Sequence, residues 1–284
     1  MQEKLVTILT MKYSKLYTSI FFLFFIENVF AQSISSDCLV LIKENQCQEA
    51  VLACSTLAEE GDSKSQTLLS LLLSGTTDGD FRRNYKQSFS WISQAADQGY
   101  TKAELALAEM YMSGEVIPMN AKKAKVWYEK AAAKENMDGI NGLARLYRYG
   151  TGVRKDYEKA FSLYEKAAFE NHIRSQAGLG LSYRDAKGIK KNLVKSYAWL
   201  SIAADSISDK ELRQLRDAYE AEREDRDRTI PQCSYILEYE NFQEIMAVSY
   251  SKKMLLDLKQ RMSRKQINKA KKLVLVLNQQ LSGQ

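Results

Sequence analysis

Apolar and small residues return along the middle of the chain at an interval of 36 residues. The phrases WISQAA, WYEKAA, LYEKAA and WLSIAA begin at residues 91, 127, 163 and 199. Around each phrase the small and aromatic side chains recur three or four positions apart, which is the spacing of one face of a helix. This interval predicts a repeat protein, in which a single repeat cannot bury its apolar face and must stack on its neighbours.

A second apolar run precedes each phrase, so each repeat is predicted to contain two helices. In AELALAEMY, Leu107 and Tyr111 lie four residues apart, and the same pair returns in GINGLARLY. Gly114 follows the first of these runs, and a glycine in the left-handed conformation ends many helices. A polar residue then precedes the second helix, where its side chain can accept hydrogen bonds from the first turn. These predicted N-cap residues are Asn84, Asn120, Asp156 and Asn192.

The same interval predicts how the chain is organised. Repeats of 36–38 residues are expected over residues 63–205, and NQCQEAVLACSTLAEEGD predicts an earlier partial repeat within residues 32–62. The interval stops near residue 205, and residues 206–284 are expected to form a helical extension that caps the stack. The chain contains only two prolines, which favours long helices over a turn-rich β fold. The predicted fold class is therefore all-α: a solenoid of helix-turn-helix repeats with a C-terminal helical cap.

These phrases resemble the Sel-one-like repeat family, a relative of the tetratricopeptide repeat. Residues 143–168, LARLYRYGTGVRKDYEKAFSLYEKAA, carry that family's Leu and Tyr, its Gly-x-Gly turn, its Asp-Tyr and its closing alanine pair. The preceding copy lacks the second glycine, and the following copy has Ala186 in place of the first and keeps Gly188. The resemblance covers residues 45–205 and implies a right-handed superhelical solenoid. It also implies an adaptor that binds other proteins through a concave face lined by the first helices.

The partner-binding groove is predicted from the helical offset of residues relative to the Leu and Tyr core. We expect the arginines in this set to pair with carboxylates of a partner protein. The predicted groove residues are Glu109, Met112, Asn141, Arg145, Arg148 and Arg184.

The N-terminus has the pattern of a secretory signal peptide over residues 1–31. Lysines precede the apolar run IFFLFFI, and VFA then supplies a cleavage site between Ala31 and Gln32. The run is seven residues long, against about 20 needed to span a bilayer. An uncleaved anchor is the alternative, and either Met1 or Met11 can serve as the start. A periplasmic or secreted protein is therefore expected.

The four cysteines of the chain can be oxidised in an exported protein. Cys47 and Cys54 lie seven residues apart in a predicted helix, about 10 Å, which exceeds the reach of a disulfide. Cys38 precedes a turn and can fold back, so Cys38–Cys54 is the favoured pair, with buried free thiols as the alternative. The sequence suggests no partner for Cys233.

The residue pattern does not indicate catalysis, metal binding or cofactor binding. His172 is the only histidine and lies outside any cysteine or aspartate cluster, so no metal site, cofactor or catalytic residue is expected. A cysteine-rich branch of the resembled family is associated with β-lactam binding or hydrolysis. That branch places cysteine pairs in successive repeats, whereas residues 63–205 contain none.

The distribution of charge also limits which classes of partner are expected. The net charge of +6 is small for this length and does not indicate nucleic-acid binding. Residues 251–284 hold nine Lys or Arg against Asp257 alone, which suggests weak contact with a membrane surface or the polar side of a cap helix. The favoured function is an exported adaptor of the cell envelope that binds a protein. The alternatives are an immunity protein against a toxin acting in the periplasm and a secreted factor acting on a host protein.

The signal-peptide prediction can be tested directly. Mass spectrometry of the protein recovered from the periplasm or medium is expected to find Gln32 at the N-terminus. An intact Met1 or Met11 in protein recovered from the cytoplasm would contradict export.

Overall fold

The computed structural model describes residues 38–75, 84–214 and 239–283. The predicted signal peptide, with its cleavage site at Ala31 and Gln32, lies outside the described residues, as does Cys233.

The described residues form eleven long helices and no strand. Those from α1 to α9 contain 13 residues each, and α10 and α11 are longer. None of the described helices combines the length and the apolar character needed to cross a bilayer. The helices are α1 (Cys47–Glu59), α2 (Ser63–Gly75), α3 (Tyr85–Asp97), α4 (Thr101–Ser113), α5 (Ala121–Ala133), α6 (Met137–Tyr149), α7 (Tyr157–Phe169), α8 (Ile173–Asp185), α9 (Leu193–Asp205), α10 (Tyr239–Arg261) and α11 (Arg264–Ser282).

The helices stack as pairs. Helices α2, α4, α6 and α8 are the first helices of four repeats, and α3, α5, α7 and α9 are the second helices, each packed between its neighbours along the chain. Helix α10 packs against both α8 and α9, and α11 packs against α9. The two C-terminal helices therefore both cover α9 and close the stack. The predicted solenoid of helix-turn-helix repeats with a helical cap is confirmed.

Polar caps fix the start of each second helix. The side chains of Asn84, Asn120, Asp156 and Asn192 accept from the backbone N–H three residues later at 2.9–3.1 Å. In the last three repeats the N–H of the cap residue donates at 2.8–3.0 Å to a carbonyl of the preceding helix. The acceptor is the tyrosine at the equivalent position of each repeat. One residue thus starts the second helix and joins it to the end of the first, as the sequence predicted for the caps.

The ends of the first helices also follow the sequence. Gly114 and Gly150 end α4 and α6 in the left-handed conformation, with φ of 72° and 73°. Ala186 ends α8 with φ of 57°, which is strained for a residue with a Cβ. Near the N-terminus a disulfide joins Cys38 to Cys54 of α1 with 5.3 Å between the Cα atoms, the pairing that the sequence favoured.

The second residue of each phrase places a large side chain in the core. Ile92, Tyr128, Tyr164 and Leu200 are all buried there. Of the tryptophans that begin three of the phrases, Trp199 alone is buried. Trp91 and Trp127 lie partly exposed at the margin of the core.

Glycines in the first helices make room for the buried tyrosines. A Cβ on Gly142 would lie 2.4 Å from Cδ1 of Tyr128, and one on Gly178 would lie 2.6 Å from Cε1 of Tyr164. The earlier repeat has Ala106 in this register, where the preceding helix carries the smaller Ile92. A large side chain on a second helix is thus matched by a small residue on the following first helix. Burial raises the pKa of Tyr164 to about 12, so its ring is neutral at this interface.

Gly142→Ala tests this volume match. Alanine is ordinarily the better helix former, but here its methyl group meets the Tyr128 ring, and we expect the free energy of unfolding to fall by about 1–3 kcal/mol. Denaturant unfolding measures the change.

The matched control is the same substitution in a Tyr128→Leu background, where the ring is gone. There the cost of Gly142→Ala is expected to disappear, because the two residues are coupled. Equal costs in both backgrounds would show that the tyrosine is not the obstacle.

Candidate functional site

The first helices share one face of the solenoid on which polar and apolar side chains remain partly exposed. We call this the first-helix face and define it by residues at equivalent positions of α4, α6 and α8. Its partly exposed members are Leu105, Glu109, Met112, Arg145, Arg148, Leu181 and Arg184. Five of the six predicted groove residues belong to this set.

Asn141 is the exception among the predicted groove residues. It is 3% exposed, and its side-chain amide donates to Ser175 Oγ at 2.9 Å. Its side chain points from α6 towards the start of α8. In this structure Asn141 therefore links α6 to α8.

Glu109 and Arg145 form the most accessible charged pair on the first-helix face. Arg145 Nη1 lies 3.3 Å from Glu109 Oε1, and the side chains are 43% and 37% exposed. Tyr128 Oη donates to the same carboxylate oxygen at 2.7 Å. Burial, together with the Glu109 charge and hydrogen bond, raises the pKa of Tyr128 well above its usual value, so the phenol acts as a neutral donor. The pair is exposed enough to contribute little to stability and to meet an external group.

Arg148 and Arg184 converge on one carboxylate. Arg148 donates to Ser182 Oγ at 3.1 Å and to Asp185 Oδ2 at 3.3 Å, and Arg184 Nε donates to Asp185 Oδ1 at 2.6 Å. Burial would raise the pKa of Asp185, but hydrogen bonding and charge from Arg184 and charge from Arg148 hold it below its usual value. Two cations on one anion leave a net positive charge at this end of the face.

The C-terminal cap limits the face beside these arginines. Arg184 lies against Met254 of α10, and the charge of Arg184 also interacts with Tyr250 of the same helix. Helix α10 packs beside α8 and leaves Met246 and Tyr250 exposed. The sequence analysis did not place α10 on this face, because the 36-residue interval had already ended.

A chain of polar groups crosses from α6 to α8 and contains serine, histidine and aspartate. His172 Nδ1 lies 2.8 Å from Ser175 Oγ, and its Nε2 lies 2.9 Å from Asp138 Oδ1. Arg174 also donates to Asp138. Ser175 is fully buried and already accepts from Asn141, so its hydroxyl cannot attack an external substrate.

His172 has a structural role in this chain of groups. It is the N-cap of α8, and its ring accepts from the backbone N–H of Ser175 at 3.3 Å. Its side chain is only 11% exposed. Asn136, at the equivalent position one repeat earlier, caps α6. This equivalence is the sequence signal that could have identified His172 as a cap.

Metal binding has no evident site in the described part of the chain. No group of three or more His, Cys, Asp or Glu side chains there is arranged to hold an ion.

Comparisons with known proteins identify the same architecture. The family model of the Sel1 repeat matches residues 63–100, 101–136, 138–172 and 173–206. No curated protein matches the chain.

Two solved structures are similar in fold. One is a Sel1 repeat protein from Oxalobacter formigenes, 23% identical, with a TM-score of 0.49 over 55% of this chain and 45% of that one. The other is a protective antigen present in uropathogenic Escherichia coli strains displaying an SLR fold, 23% identical, with a TM-score of 0.52 over 82% of this chain and 48% of that one. This chain thus spans about half the length of each.

The Asp138 cluster generates a prediction for acid unfolding. The hydrogen bond from His172 lowers the pKa of Asp138 below its ordinary value of 3.8, helped by the charge of Arg174 and opposed by burial. A carboxylate whose pKa is depressed by folding stabilises the protein fully above about pH 4, and this contribution is lost as the pH falls through the folded value.

We therefore expect the free energy of unfolding of Asp138→Asn to fall less steeply than that of the parent protein as the pH is lowered. Denaturant unfolding measured at several pH values below about 5 should show a smaller pH dependence for the variant than for the parent protein. Identical slopes for the two proteins would contradict the assigned role of Asp138.

Proposed function

This chain belongs to the Sel1 repeat family, whose members generally mediate protein–protein interactions, and from that membership we propose that it is an exported adaptor that binds a partner protein through its first-helix face. Export is supported by the signal-peptide pattern over residues 1–31. The chain is proposed to act in the periplasm or outside the cell and to perform no catalysis.

The Glu109–Arg145 pair is the observation that carries the choice of face. It spans two successive repeats, and both charged groups remain accessible. Leu105 and Met112 lie one turn away on α4, so apolar surface flanks the charges. An interface of this kind offers apolar contact together with charge-assisted hydrogen bonds to a partner.

Arg148 and Arg184 are proposed to contribute differently. Their side chains are 10% and 18% exposed and are held by Asp185 within the solenoid. They set the positive potential of the face, while Arg145 makes direct contact. Carboxylates on the partner complement this potential.

A charge swap tests the face without removing the internal ion pair. Glu109→Arg combined with Arg145→Glu keeps opposite charges across the repeats but reverses what a partner meets at each position. We expect partner affinity to fall at least about tenfold, since like charges are then opposed, with no large change in melting temperature.

The measurement needs a partner, which affinity capture from envelope extract and mass spectrometry would supply. The matched control is the swap Lys125→Glu with Glu129→Lys, an exposed ion pair on the second helix α5. Affinity should survive this control. Equal loss in both swaps, or unchanged affinity in the first, would exclude the first-helix face.

A further inference from the structure

The turns that lead from first to second helices gather at one edge of the solenoid, because successive helices run in opposite directions. The turn between α10 and α11 joins them. Ile267, near the start of α11, shares an apolar cluster with Leu193 and Val194 at the start of α9. The far end of α11 reaches the opposite edge, where Asn171 Nδ2 donates to Leu281 O at 3.2 Å. We call residues 113–123, 149–159, 185–195 and 259–265 the basic edge.

Charge is distributed unequally between the two edges. The basic edge holds thirteen Lys or Arg against four Asp or Glu. The turns of the opposite edge, residues 59–64, 96–102, 132–138, 168–174 and 204–210, hold five Lys or Arg against nine Asp or Glu. The small net charge of the whole chain therefore conceals a strongly positive edge.

Two of the four acidic groups of the basic edge are occupied within the fold. Asp156 caps α7, and Asp185 is held by Arg148 and Arg184. Lys190 and Lys191 are exposed and have no ion-pair partner among the described residues. The positive charge is thus directed outwards.

Apolar side chains stand exposed among these cations. Met119 is 61% exposed, Tyr149 64% and Ile189 38%. All three lie in or beside the turns, where ordinary solvated loops carry polar residues. Tyrosine, apolar tips and lysines with long aliphatic stems form the combination that suits the interface of a bilayer.

We propose that the basic edge docks on a bilayer surface containing anionic lipids. Its four turns lie side by side, about 10 Å apart by the usual packing distance of helices, so several cations meet a flat surface together. Each Lys or Arg that reaches an anionic surface strengthens binding about fivefold. Met119, Tyr149 and Ile189 favour a bilayer over an acidic peptide, because a bilayer offers these side chains an apolar layer beneath its charged surface.

This orientation leaves the first-helix face free, since the two surfaces use different residues. The bilayer docking does not depend on the proposed protein partner, and each can fail separately. A solenoid standing on its turns would hold a bound protein beside the membrane.

Sedimentation with vesicles tests the docking in the absence of any protein partner. We expect the protein to pellet with vesicles of phosphatidylglycerol mixed with phosphatidylcholine, and to remain in the supernatant with phosphatidylcholine alone. High salt should release it, because exposed charges are screened.

Two variants with the same change of net charge separate the edges. Lys190→Glu with Lys191→Glu is expected to weaken sedimentation at least about tenfold. The control is Lys64→Glu with Lys210→Glu, which alters exposed lysines of the opposite edge and should bind nearly as well as the parent protein. Circular dichroism confirms that both variants remain folded.

A third variant tests the apolar tips. Met119→Ser with Tyr149→Ser should bind at low salt and be released at a lower salt concentration than the parent protein. Release of both proteins at the same salt concentration would overturn the role of these side chains.

Three results would overturn the docking. The first is equal sedimentation with both kinds of vesicle, and the second is equal weakening of sedimentation by the control variant. The third is binding of soluble poly-glutamate that depends on Lys190 and Lys191 and is as tight as binding to the vesicles. The last would assign the basic edge to an acidic macromolecule instead.

Discussion

The insertion of one large side chain between adjacent first helices determines how the repeats of this protein stack. Tyr128 and Tyr164 fill gaps opposite Gly142 and Gly178, and the loss of a single Cβ creates each gap. Close packing allows little adjustment, so the distance between successive first helices is set by these contacts. The first-helix face and the basic edge both inherit their spacing from this packing, because both consist of residues presented at one-repeat intervals.

Local rules predicted the regular parts of the fold. Asn120 and Asp156 cap helices as expected, and Gly114 and Gly150 end them, because each effect depends on a few neighbouring residues. The depth of Tyr128 relative to Trp127 could not be predicted in this way, since it depends on a glycine of the next helix. Ala106, Gly142 and Gly178 occupy equivalent positions in the sequence and mark where a large side chain can fit. This signal can be interpreted only when it is compared with the residues of the second helices.

Predicting the candidate site was harder, because side-chain orientation depends on contacts between repeats. Helical offset placed Arg145 on the first-helix face, and the structure leaves it accessible beside Glu109. The same offset selected Asn141, which turns inwards to Ser175 because a partner is available there. Helix α10 lacks the repeat pattern, so its position beside Arg184 follows from tertiary packing alone.

The buried link from Asn141 to Ser175 also makes the repeats distinguishable from one another. One repeat earlier the corresponding residues are Leu105 and Gly139, and neither side chain can form this bond. Setting Asn141 against the wrong neighbour would leave its amide without a partner, at a cost of about 1–3 kcal/mol. Similar repeats invite misassembly, either by skipping a unit within one molecule or by exchanging units between two molecules. The Asn141–Ser175 contact thus favours the correct order of units over these alternatives.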